Sequence, residues 1–161
     1  MCNLGLTHAM RDAGIDLIQT KVGDRYVLEA MREGGFIVGG EQSGHMIFLE
    51  HNSTGDGLVT ALQFLAACKR AGKSVQEATL VMTRFPQTLI NVKVADKHAL
   101  EGNAAVAEAV ATAEAELGEN GRVLIRPSGT EPVVRVMVEA ASADEANRHA
   151  TAIAKVVERE V

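Results

Sequence analysis

Seven residues, Arg126-Pro127-Ser128-Gly129-Thr130-Glu131-Pro132, combine what a protein needs to grip a phosphate. Arg126 offers a planar cationic fork that matches phosphate oxygens. Ser128 and Thr130 offer short hydroxyls. Gly129 is able to adopt positive φ, which lets successive N–H groups turn inward as an anion-binding nest. Pro127 and Pro132 bracket the loop and restrict it. Two of the chain's three prolines lie here, so backbone restriction is concentrated in this loop. Arg135 follows on a strand-like run and alternates with Val134, Val136 and Val138, so it faces away from their buried side. The same residue types also build an ordinary tight hairpin with a solvated arginine. The loop is not of the Walker type, because it lacks the Gly-Lys-Ser/Thr ending and leads into a strand.

Gly39-Gly40-Glu41-Gln42-Ser43-Gly44-His45 is the second chemical candidate. Its three glycines let backbone approach a ligand closely. Glu41, Ser43 and His45 alternate, so in an extended loop they share one face. A carboxylate, a hydroxyl and an imidazole together suit the hydroxyls of a sugar, while a polar turn between strands needs no more than the same composition. The third candidate, Lys21-Val22-Gly23-Asp24-Arg25, joins a strand to a helix, where α/β folds often place ligand contacts. A capped helix start with solvated charges is the plainer reading of it. Thr54-Gly55-Asp56-Gly57 has too few hard ligands for a metal loop, and Asp56 reads as a helix cap. His8, His51, His98 and His149 are isolated in sequence, and no metal spacing is present.

Composition narrows the function classes. The net charge of −5 argues against a general nucleic-acid surface, which needs a basic stripe. Charge is uneven, −1 over residues 1–84 and −4 over 85–161, so the cations of the phosphate-like loop are local and not part of a basic field. Two cysteines, Cys2 at the terminus and Cys68 in a helix-like run, argue against a disulfide framework and fit a reducing cytoplasm. No apolar run is long enough to span a membrane, and no signal peptide is recognisable.

The elements that position these loops follow from periodicity. Residues 3–13 read as a helix stopped by Gly14, and 15–19 as a strand. Asp24 caps a helix through Arg32 with Val27, Leu28 and Met31 on its apolar face. Residues 36–38 and 46–49 read as strands on either side of the second candidate loop. Leu58 to Ala71 is a helix with Leu58, Leu62, Leu65 and Cys68 near one stripe, closed by Gly72. Ser74 to Val81 is a shorter helix with the Ser74/Glu77 capping-box pattern. The pattern changes across residues 82–85. Beyond Pro86, a strand (89–94), an alanine-rich helix (103–117), two strands flanking the phosphate-like loop, and a helix (143–160) give the order β-α-β-β-α. That order predicts a small antiparallel sheet covered on one face by two helices.

With these loops in view, the sequence resembles the α-D-phosphohexomutases. The matching stretches are Met1–Leu6 (MCNLGL), Lys21–Val27 (KVGDRYV), Gly39–His45 (GGEQSGH), Thr54–Gly57 (TGDG) and Arg126–Pro132 (RPSGTEP), in family order and across almost the whole chain. Gln42 and the form of the Lys21–Val27 stretch are more similar to the glucosamine branch than to the phosphomannomutase branch. The resemblance implies an α/β domain of mixed sheet, the family's third, over residues 1–81, lacking its front end. It implies a TATA-binding-protein-like α+β fourth domain over 82–161.

The resemblance also implies roles. Glu41 and Ser43, with His45 beside them, would bind sugar hydroxyls; Arg126, Ser128, Gly129, Thr130 and Arg135 would hold the substrate phosphate. Lys21, Gly23, Asp24 and Arg25 are further candidates. The family's phosphoserine and its Asp-rich magnesium loop have no counterpart among these residues. The expectation is therefore a C-terminal part of a longer, Mg2+-dependent enzyme, with no catalytic residue and no metal ligand of its own. That enzyme would interconvert glucosamine 6-phosphate and glucosamine 1-phosphate through a bisphosphorylated intermediate. Its partners would be a hexosamine phosphate and the preceding domains of the same polypeptide, with homodimerisation open and neither nucleic acid nor membrane involved. A phosphomannomutase or phosphoglucomutase, or a non-catalytic phosphosugar-binding module, stays open at this point.

Overall fold

The computed structural model describes residues 2–161, and they divide into two compact units, the residues up to Arg84 and Phe85–Val161. In the first unit, α1 (Leu4–Asp12) starts where the Asn3 carboxamide accepts the Gly5 N–H at 3.1 Å. This satisfies one of the donors a helix start leaves unpaired. α2 (Asp24–Gly34) follows, with Met31 buried and Gly35 in the left-handed conformation closing it. Its N-cap is Gly23 rather than Asp24, which is the first helical residue and bonds the next N–H.

β1 (Val38–Gly40) and β2 (Met46–Phe48) form an antiparallel hairpin, with Val38 opposite Phe48. α2 packs on β1 through Val27 and Met31, whose side chains occupy the space a Cβ on Gly39 would need. α3 (Gly57–Ala71) is capped by Asp56, whose carboxylate accepts the N–H groups of Leu58 and Val59 at 2.9 and 3.0 Å. α4 (Val75–Thr79) carries the reciprocal Ser74/Glu77 capping box. The Ser74 hydroxyl, and then its N–H, hold the Glu77 carboxyl below its ordinary range.

Strand placement and the α3 stripe both depart from expectation in this unit. Residues 15–19 are not a strand, and β1 begins at Val38, not Phe36. β-propensity makes a strand only where a neighbouring backbone offers a ladder. Here a cavity of about 210 Å³, lined by residues 16–22, α2 and β1, lies beside the segment instead. The leucine stripe of α3 is the second failure: Leu58, Leu62 and Leu65 are 72, 60 and 52% exposed, and only Cys68 of that set is buried. Helical periodicity aligns side chains but does not supply a surface to cover them.

An uncovered stripe of this kind drives association. Size-exclusion chromatography should show an apparent mass that rises with concentration. Leu62→Glu combined with Leu65→Glu should hold the chain at the monomer volume. Elution independent of concentration in the parent chain would contradict this.

The second unit has the predicted order. β3 (Gln87–Lys93), a 3-10 turn at Lys97–Leu100, α5 (Ala104–Leu117), β4 (Arg122–Pro127), β5 (Val133–Glu139) and α6 (Ala143–Glu160) build an antiparallel sheet of order β3-β5-β4. Val134, Val136 and Val138 of the central strand are fully buried beneath Ala146, Ala150, Ile153 and Val157 of α6. Val106, Ala113 and Leu117 of α5 complete this core. The opposite face departs from simple alternation: Met137 and Glu139 are buried there too, and Glu139 is paired with Arg122 at 2.9 Å.

Candidate functional site

The chemistry-bearing loops form two clusters, one in each unit. In the second unit, the turn between β4 and β5 is closed by the Ser128 N–H donating to the Val133 carbonyl at 2.9 Å. The register sets Arg126 directly opposite Arg135, and Asn91 of β3 on Arg135's other side. Directly opposed residues share a sheet face, so both guanidinium groups start from the same side of the sheet beside the loop.

The Ser128 hydroxyl is buried and organises the turn. Its oxygen accepts the Glu131 N–H at 3.3 Å and an Arg135 Nη2–H at 3.4 Å. Arg135 also pairs with the Glu131 carboxylate at 3.1 Å, an exposed contact that contributes little stability. Arg135 Nε is the buried side-chain nitrogen left without an acceptor among the described residues. Gly129 and Thr130 are exposed, and their N–H groups make no hydrogen bond among the described residues.

Gly129 corrects one expectation, because its φ is not in the left-handed region. The turn does not use the glycine's conformational freedom, and open space surrounds the position of its missing Cβ. What holds the loop is a residue that sequence reading passed over. Lys97, from the 3-10 turn after β3, donates from Nζ to the Ser128 carbonyl at 2.8 Å and to the Gly129 carbonyl at 3.4 Å. No local signal marks Lys97, since the contact spans 31 and 32 residues of sequence.

In the first unit, residues 39–45 are the hairpin connection between β1 and β2. The turn is tight: the Glu41 N–H donates to the His45 carbonyl at 2.8 Å and the Gly44 N–H to the Glu41 carbonyl at 3.1 Å. Glu41, Ser43 and His45 therefore do not share the face of an extended strand, because chain reversal breaks the alternation. Ser43 and His45 remain exposed.

Tertiary contacts gather the other two candidate loops around this turn. Glu41 Oε1 accepts the Gly23 N–H at 3.0 Å. Gly23 has φ 131°, a conformation open to glycine and strained for other residues. On the other side, the His45 ring lies where a Cβ on Gly55 would be, which brings Thr54-Gly55-Asp56-Gly57 against the hairpin.

Lys21 and Arg25 are engaged close to home. Lys21 lies 6.0 Å from the Tyr26 ring centroid. Arg25 bonds Glu29 at 2.8 Å one helical turn on, and that hydrogen bond and charge raise the Arg25 pKa. No group of three or more His, Cys, Asp or Glu side chains is placed to hold a metal ion among the described residues, and no described helix is long and apolar enough to cross a membrane.

Residues 1–85 match the family model "Phosphoglucomutase/phosphomannomutase, alpha/beta/alpha domain III", and residues 89–156 match that of the "C-terminal domain". A protein of Thermobifida fusca named phosphoglucosamine mutase is 56% identical over 161 residues, all of this chain and 36% of that protein. A protein of the same name from an Arthrobacter species is 58% identical over 98% of this chain and 35% of its own length. The chain thus spans about a third of the length of the curated relatives it matches.

Among solved structures, Aspergillus fumigatus N-acetylphosphoglucosamine mutase superposes with TM-score 0.85 at 24% identity, over 99% of this chain and 37% of that one. That likeness shows the fold. A structure of the A. fumigatus enzyme in complex with GlcNAc-6P and magnesium superposes with TM-score 0.60 at 29% identity, over 67% of this chain and 22% of that one.

Proposed function

The chain belongs to the phosphoglucomutase/phosphomannomutase family, and from that premise we propose that it supplies sugar and phosphate binding to a phosphoglucosamine mutase. The reaction is the interconversion of glucosamine 6-phosphate and glucosamine 1-phosphate through a bisphosphorylated intermediate. The chemistry of transfer belongs to the rest of a longer cytoplasmic polypeptide. The curated relatives at 56 and 58% identity carry the name phosphoglucosamine mutase, which favours glucosamine over mannose or glucose.

The observation that carries this reading is the pairing of Arg126 with Arg135 across β4 and β5, beside the unpartnered N–H groups of Gly129 and Thr130. Charge and N–H donors recognise phosphate oxygens without reference to the ring that bears them. One loop of this kind accepts either phosphate of an intermediate that turns around between two transfer steps. Arg126 and Arg135 supply charge, Gly129 and Thr130 supply N–H donors, and the Thr130 hydroxyl adds one more. Ser128 acts through its buried hydroxyl, which steadies Arg135 and the turn.

Glu41, Ser43 and His45 are assigned to the sugar hydroxyls. Gly23 supports Glu41 through its N–H, and Lys21, Asp24 and Arg25 are assigned as further contacts of the substrate. Magnesium offsets charge on a transferring phosphoryl group. No group of three or more His, Cys, Asp or Glu is placed to hold a metal ion among the described residues, and the magnesium ligands are assigned to the rest of the longer polypeptide.

The test is binding of inorganic phosphate and of glucosamine 6-phosphate to Arg126→Ala and Glu41→Gln. A charge-assisted contact contributes about 1.5–3 kcal/mol, so Arg126→Ala should weaken both ligands by roughly tenfold to a hundredfold. Glu41→Gln keeps an acceptor for the Gly23 N–H and should weaken only the sugar phosphate. Unchanged phosphate binding in Arg126→Ala would reduce the loop to an ordinary turn.

A further inference from the structure

We propose that Lys97 is a positioning residue that orients the phosphate loop by holding two of its carbonyls; the inference rests on the phosphate-binding reading of that loop. Lys97 Nζ donates to the carbonyl oxygens of both Ser128 and Gly129. The peptide bonds that follow these carbonyls are trans. In a planar trans peptide, the C=O of one residue and the N–H of the next point in opposite directions. Drawing the Ser128 and Gly129 carbonyls toward Lys97 therefore turns the N–H groups of Gly129 and Thr130 away from it, side by side.

The remaining donors of the loop are accounted for. The Ser128 N–H bonds the Val133 carbonyl, the Glu131 N–H bonds the Ser128 hydroxyl, and Pro132 has none. The pair left over is the pair Lys97 orients.

In this loop Gly129 does not make the nest by adopting positive φ. An external cation sets the two peptide planes instead. Lys97 is itself well placed: the Asp96 side chain accepts the His98 N–H at 2.9 Å and fixes the start of the 3-10 turn, and the Val94 N–H donates to the Pro132 carbonyl at 3.2 Å, tying the end of β3 to the loop. The ammonium is spent on carbonyl oxygens, so its contribution is geometric before it is electrostatic.

The experiment titrates the isotope-labelled 161-residue chain with inorganic phosphate and follows the amide resonances of Gly129 and Thr130. In the parent chain both should move downfield and saturate together, and Arg126→Ala should shift that saturation to roughly tenfold to hundredfold higher phosphate. Lys97→Met and the shorter donor Lys97→Gln should each weaken phosphate about tenfold and shrink the two amide responses, while Lys97→Arg, which retains N–H donors at similar reach, should stay within about threefold of the parent. The loss in Lys97→Met should persist at about 1 M salt, where screening acts within about 3 Å.

A Lys97→Met loss that disappears at high salt would make Lys97 a nearby charge and overturn the positioning role. So would parent-like amide responses in both Lys97→Met and Lys97→Gln. If Arg126→Ala still weakens binding by that much in either case, the phosphate reading stands without Lys97. If the parent amides do not respond and Arg126→Ala behaves as the parent, the phosphate reading falls and the role of Lys97 with it.

Discussion

Arg122→Met is expected to destabilise the second unit by about 3–5 kcal/mol, the range seen when a buried ion pair loses one partner. Glu139 is completely buried at the end of the central strand, and Arg122 grips one of its carboxylate oxygens from Nη2 at 2.9 Å and from Nε at 3.1 Å. The two residues are also direct cross-strand neighbours in the register of β4 and β5. Removing the guanidinium takes away the cation that faces a fully buried carboxylate.

Glu139→Ala should cost less, because Arg122 is 23% exposed and is able to rehydrate. Replacing the pair together, Arg122→Met with Glu139→Leu, should recover most of the loss, giving a favourable coupling in the double-mutant cycle. Urea unfolding with a probe in the second unit measures all three. A shift below about 1 kcal/mol for Arg122→Met would show that the pair is not structurally important.

Gly5→Ala is the second large effect, and its sign separates two arguments. By helix propensity alone, replacing glycine with alanine inside α1 should stabilise by about 0.8–1 kcal/mol. The packing argues the reverse. A Cβ built on Gly5 overlaps the backbone carbonyl of Thr83, and the Asn3 side-chain oxygen that caps the helix lies 3.1 Å from it. A carbonyl of the main chain has no rotamer to change, so either α1 or the Thr83 segment must shift. Overpacking of this kind costs about 1–3 kcal/mol, more where backbone must move, which exceeds the propensity gain.

The first unit should therefore melt earlier in Gly5→Ala. Gly57→Ala, at the first position of α3 with open space around it, should be neutral or slightly stabilising. Equal behaviour of the two variants would mean that α1 does not press on Thr83.

The ion pair bears on the candidate site through its supports. Arg122 begins the strand that carries Arg126, and Glu139 ends the strand that carries Arg135. The pair thus anchors the far end of the hairpin whose turn is the proposed phosphate loop. In the first unit, the same coupling runs through Glu41: its carboxylate holds Gly23 in a conformation few other residues accept, so a substitution at Gly23 should disturb the hairpin that presents Ser43 and His45.

What the sequence determined by itself is what short-range chemistry controls. Asn3, Asp56 and Ser74 cap helices because their side-chain oxygens reach N–H groups two or three residues on. Gly35 and Gly72 close helices because the left-handed conformation is open to them. The β-α-β-β-α order of the second unit follows from periodicities that each fit inside one element, and the Arg126–Pro132 loop was recognisable because its residues are contiguous.

The tertiary structure decided everything that depends on which elements meet. Residues 15–19 have strand-like side chains but no ladder. Leu58, Leu62 and Leu65 align as a core stripe and remain exposed. Glu139 reads as an ordinary strand end and is fully buried with Arg122. Lys97 reads as one lysine among several and holds a loop 31 residues away. Periodicity and propensity act over a few residues, whereas burial, pairing and the direction of a peptide N–H are set by neighbours that the chain brings together only on folding.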